Sequence, residues 1–322
     1  VTKRTQLHVD YITYLPLDRK SWATEFVRIL NPELAFFVKY DLWFHHIEAL
    51  KKNRIPVFLI SASLRADQSF FGVFGRFFRQ NLQAMTWIFT QNQASLTLLT
   101  SIGITQASRT GDTRFDRVAE TAASPKSLPD IRSWVGSRSV TVVGSAWEED
   151  MKLLIPLINS RPDSVWIVAP HDLSPEPMDR WITQIQGASQ KYSSWDPSAA
   201  NTVLFIDNIG MLSSLYQFAR VAYVGGAFGK GLHNILEPLG FGVPVIFGKV
   251  KKESKFPEAA QSQQEGCGFA VSDQSTLFEV FEKLEDSAFY TKSVYSAQQW
   301  VASNVGAADR IVEKIIHLLP RK

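Results

Sequence analysis

The chain of 322 residues holds one cysteine, Cys267, so an internal disulfide cannot form and a zinc site built from cysteines is excluded. No apolar run approaches the roughly 18 residues needed to cross a bilayer. Charge of either sign is barely in excess: 34 Lys and Arg against 31 Asp and Glu leave +3. So small a surplus does not mark a nucleic-acid binder, although it suits anionic small molecules or an anionic membrane surface. Internal repeats and low-complexity tracts are also lacking. What is there is 45% hydrophobic and 20% charged, an ordinary globular composition with 22 Phe and 9 Trp. The length suits about two domains. The chain opens on Val1 rather than Met, and a front segment is expected to be missing.

Short apolar runs at 11–15, 34–38, 56–60 and 87–90 read as strands, separated by helix patterns at 22–30 (capped by Ser21), 42–51 and 95–100. The stretch 119–130, AETAASPKSLPD, loses that periodicity and reads as a linker. The alternation then restarts, with strands at 140–143, 165–169, 203–206, 221–224 and 244–247 and helices between them. The fold class predicted is α/β: two doubly wound, Rossmann-like domains, residues 1–122 and 123–322, with parallel sheets and a ligand at the carboxyl ends of the strands in the cleft between them.

Residues 221–248 are the most informative. A buried strand runs into Gly225, Gly226, Gly229 and Gly231, and a helix is expected from near Asn234. Glycines let backbone N–H groups approach a ligand, and a helix N-terminus adds positive potential, so phosphate is the ligand this pattern favours. Lys230 would add charge, and Glu237 would accept hydrogen bonds from ribose hydroxyls. The same residues also fit a ligand-free turn followed by a first-turn acid. The loop is not a Walker A sequence, since no Gly-Lys-Ser/Thr occurs. A nucleotide loop late in the second of two α/β domains is the arrangement of GT-B glycosyltransferases.

The run from Gly225 through His233, Asn234, Glu237 and Pro238, with Gly242, Pro244 and Gly248, resembles the 3-deoxy-D-manno-octulosonic acid (Kdo) transferases. Tyr14-Leu-Pro-Leu-Asp18 is similar to the family's YLPLD segment. Lys39-Tyr-Asp41-Leu-Trp43 stands at its acidic-x-acidic-x-Trp stretch, and Ser61-Ala-Ser-Leu-Arg65 with Ser69 at its NARLS loop. Residues 110–116, TGDTRFD, resemble its TGN-x-K-F-D signature. The resemblance implies a metal-independent, cofactor-free, inverting transferase. Its donor would be CMP-Kdo, its acceptor a lipid A precursor, and its place the cytoplasmic face of the bacterial inner membrane, held peripherally by a chain soluble as given. It implies donor contacts at Ser145, His171, Gly225, Gly226, Lys230, His233, Asn234 and Glu237. Asp41, Arg65, Ser69 and Arg114 would serve the acceptor or sugar side, where bidentate arginines suit anions.

Each residue also has a plainer reading. Ser145 could be an N-cap, His171 a loop histidine, Asp41 the cap of the helix after it, and Arg65 the partner of Asp67 or Glu48. Residues 70–78, FFGVFGRFF, followed by Arg79, read either as a basic aromatic surface for lipid or as a buried helix. Three departures stand out. The family's Ser-Xaa-Gly-Glu segment with its catalytic base does not occur, Lys39 replaces an acid, and His171 follows Pro170 where many members have Arg. The competing readings are another GT-B transferase or nucleotide-sugar epimerase, and a nucleotide-binding remnant without turnover.

Overall fold

The structure, a computed structural model, describes residues 9–72 and 75–319. Two units divide the chain: the described residues up to Asp112 together with those from Ala307 on, and Thr113–Gly306.

The first unit runs α1 (Lys20–Leu30), β1 (Ala35–Val38), α2 (Phe44–Lys52), β2 (Val57–Ala62), α3 (Arg76–Ala84), β3 (Trp87–Thr90), α4 (Gln93–Ser101) and β4 (Ala107–Arg109). Its four parallel strands lie in chain order, β1-β2-β3-β4. Side chains alternate across a strand, so the sheet presents two apolar faces. Val57, Leu59 and Ile88 pack with Ile47, Leu50, Leu82 and Leu99 on one face. Phe58 and Phe89 point to the other, where Ile311 and Ile315 meet them. Those isoleucines, four apart on one helical stripe, belong to the terminal helix Ala307–Leu318. That helix was expected in the second domain. Its stripe instead covers the first sheet, and Arg310 Nε donates to Thr110 O at 2.8 Å.

Other local expectations shift for visible reasons. Residues 11–15 form no strand, with Tyr11 and Tyr14 exposed, because β propensity needs a pairing edge to be realised. Helix α1 starts at Lys20 with Arg19, not Ser21, at its N-cap. The acid that caps α2 is Asp18 rather than Asp41: its Oδ1 accepts from the amides of His45 (2.9 Å) and His46 (3.3 Å) and from His46 Nδ1 (2.9 Å). The conspicuous YLPLD segment thus has a structural task.

The second unit contains α5 (Thr113–Ala123), α6 (Pro129–Val135), β5 (Val140–Ala146), α7 (Glu148–Asn159), β6 (Val165–Pro170), α8 (Pro175–Gln184), β7 (Ser189–Lys191), β8 (Val203–Phe205), α9 (Leu212–Leu215), β9 (Val221–Val224), α10 (Leu236–Gly240), β10 (Val245–Gly248), α11 (Pro257–Glu265), β11 (Gly268–Val271), α12 (Gln274–Glu285) and α13 (Ser287–Asn304). The terminal helix of the first unit is α14. The second sheet is parallel and doubly wound, in the order β11-β10-β9-β5-β6-β8-β7. Its strand order reverses between β5 and β9, which places a ligand crevice at the carboxyl ends of those two strands.

The boundary expected within 119–130 lies earlier, at Asp112/Thr113, because α5 is built into the second unit. Phe115 meets Trp300 edge to face at 5.2 Å. At Gly240 a side chain would stand 2.9 Å from the Val118 carbonyl. Gly240→Ala is therefore expected to push α10 off α5 and cost about 1 kcal/mol of stability in a denaturation experiment, at the mild end of overpacking. Unchanged stability would show that the two helices separate freely.

Candidate functional site

At the switch point β5 ends in the small residues Gly144, Ser145 and Ala146, and β9 runs from Val224 into Gly225 and Gly226. Gly225 N donates to Gly144 O at 2.9 Å, closing the two ends together. A side chain at Gly144 would collide with the Tyr216 hydroxyl, and one at Gly225 with Asp150 Oδ2. The last turn of β5 is irregular. Its register with β6 shifts between Gly144 and Ala146, and Ser145 takes a left-handed conformation with φ of 52°. Non-glycine residues adopt that region at a cost, which is characteristic of functional turns. The N-cap of α7 is Trp147, so Ser145 is not the cap.

The expectation that glycine amides stand open to a phosphate is not met. Gly226 N donates to Asp150 Oδ2 at 2.9 Å, Gly229 N and Gly231 N to Gly226 O, and His233 N to Gly225 O. The turn closes on itself. The expected helix is also only five residues long, too short for a substantial dipole. Nor does the start of α7 favour an anion by itself, since Glu148, Glu149 and Asp150 fill its first turn.

What the turn offers is side chains. Asp150, fully buried, is the hub: Oδ2 accepts from the amides of Trp147 (3.0 Å) and Gly226, and Oδ1 from the Tyr223 hydroxyl (2.8 Å). Burial outweighs these three bonds and raises its carboxyl above the ordinary value. Above it Trp147 and His233 lie nearly coplanar, 14° apart, joined by a hydrogen bond from Trp147 Nε1 to His233 Nε2 at 3.1 Å. The His171 ring stacks over both, 4.4 Å from each. Lys230 Nζ sits 5.9 Å from the Trp147 ring. Burial, reinforced by His171, lowers the His233 pKa. Ser145, His171, Gly225, Gly226, Lys230 and His233 are thus brought together, with Trp147 and Asp150, which the sequence reading missed. Trp147 had only its position in Gly144-Ser-Ala-Trp-Glu148 to betray it.

One residue beyond His233 lies a cavity of about 250 Å³. Asn234 and Glu237 line it with Arg114, Arg117, Thr121 and Ser213, and Val118 and Phe241 supply its apolar wall. Asn234 is bifunctional: its Oδ1 accepts from Leu236 N at 3.3 Å and its Nδ2 donates to Glu237 Oε1 at 3.1 Å. Burial raises the Glu237 carboxyl, and the asparagine bond only partly offsets this. A half-buried acceptor beside arginines and hydroxyls is equipped to bind sugar hydroxyls. Arg114, expected on the acceptor side of the first domain, stands in the same cavity as Glu237. Its guanidinium also reaches Glu258 Oε1 at 2.9 Å.

The remaining expected residues belong to the first unit. Arg65 pairs with Asp67 at 3.2 Å, the partner expected of a surface arginine, and lies over the Tyr40 ring at 5.7 Å. Glu48 is taken by Lys52 instead. Asp41 borders an apolar cavity of about 400 Å³, and Ser69 opens a short 3-10 turn. Residues 70–78 are neither of the two single elements expected. That turn ends at Phe71 and α3 starts at Arg76; Phe70 and Phe71 pack on the core while Phe78 is exposed. Phe74 and the Phe77 side chain lie outside the described residues.

Comparison with known proteins agrees with this architecture. Residues 1–117 match the family model of 3-deoxy-D-manno-octulosonic-acid transferase (kdotransferase). Along more of the chain, it is 25% identical over 245 residues to the 3-deoxy-D-manno-octulosonic acid transferase of Rickettsia felis, covering 73% of this chain and 52% of that one. It is 26% identical over 281 residues to the enzyme of that name from Chlamydophila psittaci, covering 84% and 64%. Over its first third the chain matches the Kdo transferase family model, and along most of its length it is similar to these transferases. It spans between about half and two thirds of the length of these relatives.

Among solved structures, UDP-GlcNAc 2-epimerase from Neisseria meningitidis superposes with a TM-score of 0.64 at 18% identity, over 92% of this chain and 79% of that one. A glycosyltransferase from Rickettsia africae gives 0.55 at 10% identity, over 98% and 85%. At such identities the likeness concerns the fold alone: the chain is built from Rossmann-like units of the GT-B type. Among its described residues no helix is long and apolar enough to cross a membrane.

Proposed function

We propose that this chain is the glycosyltransferase these similarities suggest, taking Kdo from CMP-Kdo and passing it to a lipid A precursor. The observation that carries this reading is the cavity in the second unit, where Glu237 and Arg114 stand beside the histidine stack at the sheet's switch point. In it, Glu237 accepts the ribose hydroxyls, held in place by Asn234. Arg114, Ser213 and Thr121 offer donors to the rest of the nucleoside. Lys230, His171, His233 and the Ser145 hydroxyl meet the phosphate and the sugar's carboxylate, which are negative in both ground and transition states. Glycine amides play no part in this version, since they are spent within the turn.

Transfer itself joins an acceptor hydroxyl oxygen to the anomeric carbon as the bond to the CMP phosphate breaks. The hydroxyl proton goes to a general base, and the resemblance assigns that role to a glutamate absent from residues 1–322. Attack opposite the leaving group inverts the anomeric centre, with the departing phosphate's charge met by side chains and no metal. Asp41, Arg65 and Ser69 in the first unit are the proposed contacts for an anionic acceptor at a membrane surface.

The test is calorimetry with CMP and UDP, followed by a Kdo-transfer assay from CMP-Kdo with this chain and with the longest reading frame that contains it. Preference for CMP, with transfer by the longer protein, is expected. Preference for UDP favours the epimerase-like alternative, and CMP binding without transfer by either protein favours a module lacking turnover.

A further inference from the structure

The bond between Trp147 and His233 has a consequence for the chemistry of the imidazole. An indole N–H is a donor only. When it points at His233 Nε2 at 3.1 Å, that nitrogen must present its lone pair, which places the ring proton on Nδ1. A doubly protonated ring has no lone pair to offer, so charging His233 would break the bond and leave two N–H groups facing each other. The near-coplanar geometry, 14° between the rings, is what an in-plane lone pair requires.

Trp147 is anchored through its backbone by Asp150, and His233 through its own amide, which donates to Gly225 O at 3.2 Å in the glycine turn. Asp150 Oδ2 holds Trp147 N at 3.0 Å and Gly226 N at 2.9 Å, pinning the start of α7 to the glycine turn. Gly226 adopts φ of 97°, and a side chain there would strike Gly231 O and crowd the His233 ring. His171 stacks over the seam of the pair and shuts its upper face. Of the charged and titratable groups nearby, His171 from the end of β6 faces the ring directly, Lys230 of the turn lies over Trp147, and Glu149 and Asp150 of α7 face the turn at Gly229 and Gly226. Asp150 directs its oxygens to amides and to Tyr223, so it is not an ion-pair partner for an imidazolium.

We infer that Trp147 is a positioning residue that locks His233 as the neutral, Nδ1-protonated imidazole. The ring then meets the donor's anionic group as a fixed hydrogen-bond donor whose charge does not change near neutral pH. The role in donor binding rests on the function proposed above; the lock itself is a property of the ligand-free protein. Burial and His171, which lower the pKa of His233, act in the same direction.

The experiment is nitrogen NMR of ring-labelled protein without ligand, from pH 8 to 5, on wild type and Trp147→Phe, which keeps an aromatic face and removes the N–H. In wild type, His233 should show a protonated Nδ1 and a bare Nε2 throughout, with no midpoint at its ordinary value of 6.5. In Trp147→Phe the tautomers should mix and a midpoint should appear closer to that value. CMP affinity of the variant should then acquire extra pH dependence, up to about tenfold for each unit of acidification, the slope of one linked proton. A wild-type His233 protonated on Nε2, or titrating at its ordinary value, overturns the inference even if the variant fails to fold. So does a folded variant whose His233 spectrum and titration match wild type. Failure of CMP to bind wild type would instead count against the proposed function and leave the ring's titration to judge the lock.

Discussion

Replacing Arg114 with alanine should destabilise the protein by about 3 kcal/mol, the low end of what breaking a buried ion pair costs. The side chain of Glu258 is 9% exposed, one oxygen sits 2.9 Å from the Arg114 guanidinium, and its other oxygen, Oε2, has no hydrogen-bond partner among the described residues. Without the arginine a carboxylate remains in the interior with its charge uncompensated. Arg114 itself is about a quarter exposed, which argues against the larger values. Glu258→Gln in the Arg114→Ala background should recover most of the loss in denaturant unfolding, because the residual charge, not the missing contact, dominates. If the double variant is no more stable than Arg114→Ala, the pair is not the source of the effect. The same variant should weaken CMP binding without rescue by Glu258→Gln, since Arg114 also lines the cavity.

Glu237→Gln should move affinity and stability in opposite directions. Loss of a charged acceptor for ribose hydroxyls is expected to weaken CMP binding by about 1–3 kcal/mol in calorimetry. In the free protein the carboxylate accepts a hydrogen bond from Asn234, and burial raises its pKa above 4.5. A raised pKa means a stability contribution fully present below the unfolded value and lost as pH rises through the folded one. At neutral pH the ionised side chain is therefore a cost, and glutamine should raise the melting temperature by about 2 °C. The pH dependence follows with the same sign. As pH falls through the raised pKa, wild type should lose CMP affinity, and Glu237→Gln should show no such loss from this group. A glutamine variant that binds CMP like wild type removes Glu237 from the site.

The parallel strands were legible because buried runs such as 221–224 have no other comfortable place. The role of α14 was not, since residues 307–318 carry an ordinary amphipathic stripe and nothing local says which sheet it meets. Arg114 was misplaced for a related reason: residues 119–130 look like a linker, yet the chain crosses between units at Thr113, before α5. Within the site, Glu237, Asn234 and His233 were found by pattern, while the glycine turn was misjudged. Glycines announce a tight backbone, but only the structure shows that Asp150 and the turn's own carbonyls consume the amides. Asp150 looked like one of three acids opening a helix, and its burial depends on β9 and the glycine turn, 70 residues and more further along the chain.

A structure of the protein soaked with CMP addresses the central assignment most directly. Ribose oxygens within hydrogen-bonding distance of the Glu237 carboxylate, with the phosphate against Lys230 and the two stacked histidines, is the arrangement expected. A nucleotide seated away from the second unit's switch point, or contacting neither Glu237 nor that stack, would contradict it.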